Sequence, residues 1–388
     1  MRPIGIYLHI PFCVKKCAYC DFISYAGKKE MIVPYCDALR QELDWYAQHS
    51  FFDDCLPLTV YIGGGTPSLA TTAILRFIQH AEKILTFDTL QELTIEVNPR
   101  TITYSGFRQL RQAGFNRVSI GVQSLHDREL ETLGRIHTVQ EAISCFQSAR
   151  EAGFDNINLD LIFGIPRSDL GSWQATLEQV IRLGPEHLSL YNLTIEKETP
   201  FHVLQQQGKL FLPDEATQIM MYQTGMTLLT QAGYEHYEIS NFARPGRRSQ
   251  HNQIYWHNEE YLGLGAGATS YKDGCRYANT SNIEAYITQI AASGEIQENC
   301  LYPATVVEFE QVDFAAVIGE TIMMNLRLIE GIDLAAFSRR FGVDLQKFHA
   351  HALDKLYALN LIEKNENYLR LTSKGVLLSN EVFQEFLP

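Results

Sequence analysis

Six short apolar runs, each parted from the next by a longer amphipathic stretch, constrain this chain more than any other feature. The runs are Ile4–Ile10, Thr59–Ile62, Leu93–Val97, Arg117–Val122, Ile157–Phe163 and His187–Leu193. Between them, apolar residues recur at helical spacing over Pro34–Gln48, Thr71–Leu85, Thr103–Ala113, Val139–Ala152 and Ser172–Leu183. Short apolar strands alternating with amphipathic helices imply parallel βα units. The pattern predicts an α/β fold, a partial (β/α)6 barrel over residues 1–200, short of the eight units of a full barrel. In barrels of this kind the chemistry sits at the C-terminal ends of the strands.

Two further regions follow. Residues 201–304 read as an extension, with a helix over Asp214–Ala232, an aromatic- and glycine-rich stretch from Tyr234 to Tyr277, and a helix over Ile283–Ser293. Pro213-Asp214 supplies the start signal of the first helix and Gly233 its stop. Residues 305–388 read as a smaller C-terminal α+β domain. Helical patterns over Val312–Leu328, Leu334–Phe341 and Leu345–Leu359 precede a hairpin from Leu361 to Leu371, a winged-helix-like order. The winged-helix pattern suggests DNA, but the net charge of −13 argues against a nucleic-acid partner. No apolar run approaches the ~18 residues of a membrane span. The N-terminal run leads straight into cysteines rather than to a cleavage site, so it is not a signal peptide and the expected location is the cytoplasm.

Those first cysteines are Cys13, Cys17 and Cys20, at spacings x3 and x2, just after the first strand. Three thiolates in one short loop suit iron–sulfur chemistry, holding three irons of a cubane and leaving the fourth open to a ligand. A structural zinc site is the alternative, but it calls for four ligands. The chain has no second cysteine pair to complete it, and His9 is the candidate fourth ligand. Cys36, Cys55, Cys145, Cys275 and Cys300 are scattered and read as apolar filler.

The phrase Tyr7 to Cys20, with C-x3-C-x2-C after a first strand, resembles the radical S-adenosylmethionine (SAM) superfamily, and within it the family of oxygen-independent coproporphyrinogen III oxidase (HemN) and the haem chaperones of the HemW type. The superfamily uses a six-unit partial barrel, and its open iron chelates SAM. The resemblance therefore implies a 4Fe–4S cluster on Cys13, Cys17 and Cys20, and SAM beside it. Carried over position by position, the SAM ligands it implies are Tyr7, Gly64, Gly65, Thr66, Glu96, Gln123, Arg135 and Asp160. Gly63-Gly64-Gly65-Thr66-Pro67 follows the second strand and matches the family's glycine motif. Carboxylates suit ribose hydroxyls and an amine, and the Arg135 fork suits the SAM carboxylate. Taken singly, each of these residues reads equally as a polar cap on a strand or helix.

Two marks separate the branches of that family. The oxidase carries a further cysteine two residues after the third; here that place holds Phe22, as in the HemW pattern. His251-Asn252-Gln253-Ile254-Tyr255-Trp256 resembles the H-N-x-x-Y-W motif associated with haem in HemW. If that segment is helical, His251 and Tyr255 share a face, and Arg244, Arg247 and Arg248 just upstream offer cations for two propionates. The same residues also read as a packed core cluster with a solvated loop. The glycines of Tyr261–Ser270 imitate a dinucleotide loop, but no first Rossmann strand precedes them.

The resemblance implies a haem chaperone that binds the cluster, SAM and haem as cargo and hands haem to a client haemoprotein. Oxygen-independent decarboxylation of coproporphyrinogen III is the rival expectation, and a radical SAM enzyme on another substrate a third. An electron donor, a peripheral membrane contact, a homodimer and a second SAM leave no trace in the residues.

Overall fold

The computed structural model describes residues 1–293 and 302–387. Six parallel strands form its centre: β1 (Arg2–Ile10), β2 (Cys55–Gly64), β3 (Glu92–Val97), β4 (Arg117–Gln123), β5 (Ile157–Phe163) and β6 (His187–Asn192). They lie side by side in chain order. The helices between them include α1 (Ile32–Gln48), α2 (Thr71–Ala81), α3 (Tyr104–Gln112), α4 (Val139–Glu151) and α5 (Leu170–Leu183). Each of the six apolar runs is thus a strand, and each predicted helix is present with its ends shifted by a few residues.

Local chemistry sets these boundaries. β5 (Ile-Asn-Leu-Asp-Leu-Ile-Phe) is buried at every position but Asp160, as a strand covered on both faces must be. Thr138 and Glu141 form a reciprocal capping box at the start of α4, and Asp169 accepts the Ser172 amide at the start of α5. Gly184 ends α5 in the left-handed conformation, φ 69°.

The sheet does not stop at six strands. After α6 (Glu215–Gln231), β7 (Glu235–Glu238) and β8 (Asn241–Ala243) add antiparallel strands beyond β6. α7 (Gln250–Trp256) then leads to β9 (Tyr261–Leu264), which pairs parallel to β1 on the other side. β10 (Thr269–Lys272), β11 (Cys275–Asn279) and β12 (Val306–Gln311) extend that edge antiparallel, with α8 (Ile283–Ser293) between the last two. The twelve-stranded order is β12-β11-β10-β9-β1-β2-β3-β4-β5-β6-β8-β7. The glycine-rich stretch is therefore a seventh parallel strand and its turn, not a phosphate loop.

A buried carboxylate ties this extension to the barrel. Glu42 on α1 accepts the Gly265 amide at 2.8 Å and the Asn279 side-chain amide at 2.7 Å, and Tyr286 donates to it as well. Full burial pushes the Glu42 carboxyl up to about 7.

The C-terminal part has its own apolar core, built on residues such as Ile318, Phe337, Leu353 and Leu369. α9 (Phe314–Asn325) and helix Leu334–Phe341 precede a hairpin of Ile362–Asn365 and Tyr368–Leu371, joined by a third short strand at Ile332–Asp333. This is the winged-helix-like order read from the sequence. The expected helix Leu345–Leu359 is broken in two, Leu345–Phe348 and Ala350–Ala358, because His349 leaves helical geometry at φ −115°. Among the described residues no helix is long and apolar enough to cross a membrane.

Candidate functional site

Parallel strands bring all their C-terminal ends to one side, and a cavity of about 370 Å³ opens there. Cys13, Cys17 and Cys20 lie on its wall, half-buried, as do Gly64, Gly65, Thr66, Glu96, Gln123, Arg135 and Asp160. Ten of the eleven residues expected at the cluster and SAM sites therefore face one space. The exception is Tyr7, whose hydroxyl donates to His9 Nδ1 at 2.9 Å while the other ring nitrogen of His9 meets the Ile23 carbonyl at 2.8 Å. Both nitrogens of His9 are thus hydrogen-bonded.

The cysteine loop is held by specific contacts. The Thr66 hydroxyl points at the Cys13 sulfur at 3.6 Å, and Asn98 donates to the same hydroxyl oxygen at 2.8 Å. Arg135 reaches the Cys17 sulfur at 3.6 Å and also donates to Asn98 and to the Gly121 carbonyl. Gly65 packs directly against the start of the loop. A Cβ added there would stand 2.9 Å from the Cys13 sulfur and 2.8 Å from the Phe12 carbonyl oxygen. Burial pushes the Cys13 and Cys20 thiols up, opposed at Cys13 by Thr66 and at Cys20 by the Phe22 backbone.

This set fits an iron–sulfur cluster. Among the described residues no three His, Cys, Asp or Glu side chains converge on a point that would hold a single metal ion. Thiols spread along a loop instead suit a cluster, where each sulfur takes its own iron. The Arg135 Nε is buried without a partner among the described residues.

The polar floor is built from strand ends. Glu96 accepts the Tyr61 hydroxyl at 2.9 Å and the Gly64 amide at 3.0 Å, so that amide serves the carboxylate. Gly64 can turn this way because its φ is +115°, where a side chain would meet His9. Burial, then the nearby Asp160, pushes the Glu96 carboxyl up to about 7. Asp160 accepts Ser119 at 2.9 Å and Asn158 at 2.8 Å, which satisfies a carboxylate otherwise costly inside a strand. Gln123 ends β4 on a bulge with φ 68°, a left-handed backbone uncommon outside glycine. Sequence reasoning passed over Asn98, Tyr61 and Tyr191, which share this cavity; for Asn98 the signal was its place directly after β3.

The haem-motif residues lie at the other end of the barrel. Gln250, the first residue of α7, donates its backbone amide at 2.8 Å to Glu92, the first residue of β3. His251 is 1% exposed and stacks on Tyr61, ring centroids 5.1 Å apart. Its Nδ1 meets Thr59 Oγ1 at 2.7 Å and its Nε2 meets the Tyr255 hydroxyl at 3.0 Å. The helical pairing of His251 and Tyr255 is present, but the imidazole is locked inside the core. Asn252, Tyr255 and Trp256 are half-buried, with Tyr255 and Trp256 on the wall of a second cavity. The expected cationic patch is neutralised: Arg247 pairs with Asp155, Arg248 with Glu235 and Glu330, and Arg244 stacks on Tyr234.

The family model of the radical SAM superfamily matches residues 7–180, and that of the HemN C-terminal domain matches residues 315–378. The heme chaperone HemW of Bacillus subtilis is 36% identical over 383 residues, covering 98% of each chain. The heme chaperone HemW of Escherichia coli is 35% identical, covering 100% of this chain and 99% of its own. Among solved structures, the coproporphyrinogen III oxidase HemN of Escherichia coli superposes with a TM-score of 0.84 at 26% identity, over 99% of this chain and 90% of that one. Whole-length identity at this level, on a barrel with this cysteine loop, is membership rather than likeness: the chain belongs to the HemW family of radical SAM proteins.

Proposed function

We propose that this protein is a haem chaperone: it binds haem and passes it to a client haemoprotein, on a scaffold that also holds a 4Fe–4S cluster and SAM. The observation that carries the reading is identity of 35–36% with proteins named as haem chaperones, along essentially the whole of both chains. Cys13, Cys17 and Cys20 would hold the cluster. Glu96, Gln123, Arg135, Asp160 and the Gly64–Thr66 turn would hold SAM in the adjoining cavity. Bound together, these groups supply one-electron chemistry. The chain's own part is to fix the thiols through Thr66 and Arg135 and to present two buried carboxylates to the ligand. The described cysteines are free thiols, which suits a reducing cytoplasm.

The superposition on HemN favours a second reading, coproporphyrinogen oxidation, but Phe22 stands exposed on the cluster loop where the oxidase pattern has cysteine. Anaerobic incubation with coproporphyrinogen, dithionite and SAM separates the two. The proposal predicts no vinyl product and saturable binding of haem; vinyl product in quantity would transfer the protein to the enzyme class.

A further inference from the structure

The second cavity, about 480 Å³, lies between α7, the start of β9 and α9 of the C-terminal domain. It is in the range of sites that enclose a sizeable cofactor. Tyr255 and Trp256 form one wall and Tyr261 adjoins them, its ring 4.8 Å from that of Tyr255 at an interplanar angle of 85°. Met323 and Met324 of α9 line the cavity from the other side, both half-buried. The Trp256 indole nitrogen is buried and donates to nothing among the described residues. Arg276 lies on the wall, held by Glu310 at 3.0 Å and by Glu320, so the Glu320 carboxylate in the lining is compensated.

Resting on the chaperone reading, we propose that this cavity is where haem is carried, with its iron taken by a thioether of the Met323–Met324 pair rather than by His251. Three observations converge on it. The imidazole lies in the core, 1% exposed, with Nδ1 on Thr59 and Nε2 on the Tyr255 hydroxyl, so iron at Nε2 would have to displace Tyr255 and enter the packed interior. The two motif aromatics beyond that imidazole face the cavity, which gives a flat macrocycle the apolar walls it needs. Methionine sulfur is an established haem-iron ligand type, and as a neutral group it loses little on desolvation. The phenols of Tyr255, Tyr261 and Tyr271 also line the cavity, but burial pushes all three hydroxyls up, away from the phenolate that would bind iron. Cargo and cluster would then occupy opposite ends of the parallel strands, and the C-terminal domain would be half of the cargo site.

The test is an anaerobic haem titration of the full chain, with wild type beside Met323→Leu, Met324→Leu and the double variant, read by Soret absorbance and, with imidazole added as the second axial ligand, by the near-infrared band that thioether ligation gives low-spin ferric haem. Leucine conserves volume, and unchanged cluster absorbance at the other end of the barrel reports that each variant is folded. The expected result is saturable binding by wild type with the thioether band, and loss of about tenfold or more in affinity, with loss of the band, in one single variant and in the double. Wild-type binding that both single variants retain, without a thioether band, would overturn the cavity assignment and leave the chaperone reading standing. No saturable binding by wild type would overturn both.

Discussion

Arg135 stands 3.6 Å from the Cys17 sulfur and, through the same guanidinium, bonds Asn98 and the Gly121 carbonyl, so one side chain joins the cysteine loop to the ends of two barrel strands. A cation buried beside the cysteine loop favours the ionised form of Cys13 and is placed to meet a carboxylate brought to the cavity. Replacing Arg135 with alanine removes both effects. SAM affinity should fall about tenfold to a hundredfold, the scale of a hydrogen bond to a charged group. Isothermal titration of reconstituted protein measures it, and Arg135→Lys, which keeps the charge but not the fork, should recover part of the loss.

The cluster assignment is tested one sulfur at a time. Cys13→Ala, Cys17→Ala and Cys20→Ala should each abolish the cluster's visible absorbance after reconstitution. Cys36→Ala and Cys145→Ala, in the apolar core, should leave it intact. A full cluster spectrum in Cys17→Ala would refute the ligand set.

Gly65 makes a subtler demand. A methyl there collides with the Cys13 sulfur and the Phe12 carbonyl. Gly65→Ala should therefore fold, by circular dichroism, yet bind substoichiometric iron, because the loop must shift to make room.

Glu96 gives a pH signature. Its carboxyl, ordinarily near 4.5, is held up to about 7 by burial. Between those pH values the folded chain keeps a proton that the unfolded chain has released, so this group's contribution to stability falls as the pH rises through the window. SAM binding should move the opposite way, because a carboxylate is the better partner for its amine and hydroxyls. Affinity measured from pH 6 to 8 should rise, with its midpoint near about 7, and Glu96→Gln should flatten the profile.

His251 should behave as a core residue. Burial holds its imidazole down to about 3, so it stays neutral while its unfolded counterpart titrates near 6.5. Its contribution to stability should fall as the pH drops through that interval. His251→Ala should cost about 2–4 kcal/mol in denaturant unfolding, from the lost ring and the stranded Thr59 and Tyr255 hydroxyls. If haem binds, the ferric spectrum of this variant should keep its wild-type ligand bands.

The barrel was legible because its signal is local. A run such as Ile157–Phe163 is mostly apolar and has a helix on either side, which leaves little but a covered parallel strand. β9 was hidden for the opposite reason: Tyr-Leu-Gly-Leu is four residues long, and only its pairing with β1 makes it a strand. The cysteine loop and the glycine turn could be read from spacing, and the structure sets them around one cavity. What spacing could not convey was direction. His251 and Tyr255 share a helical face as expected, but the imidazole on that face meets Thr59 and Tyr61 inside the barrel. Arg247 and Arg248 looked free because Asp155 and Glu330, which pair with them, are remote in sequence. The bulge that turns Gln123 into the cavity is likewise a product of tertiary packing, with no mark in Gly-Val-Gln-Ser.

The most direct test of the chaperone account is haem transfer. Full-length protein, anaerobically reconstituted and loaded with haem, is separated from free haem and mixed with an apo-haemoprotein, and the recipient's Soret spectrum is followed. The account predicts saturable loading near one haem per chain and recovery of the recipient's spectrum faster than release of haem into buffer allows. A protein that takes up no saturable haem, or one whose haem reaches the recipient no faster than free haem does, would contradict it.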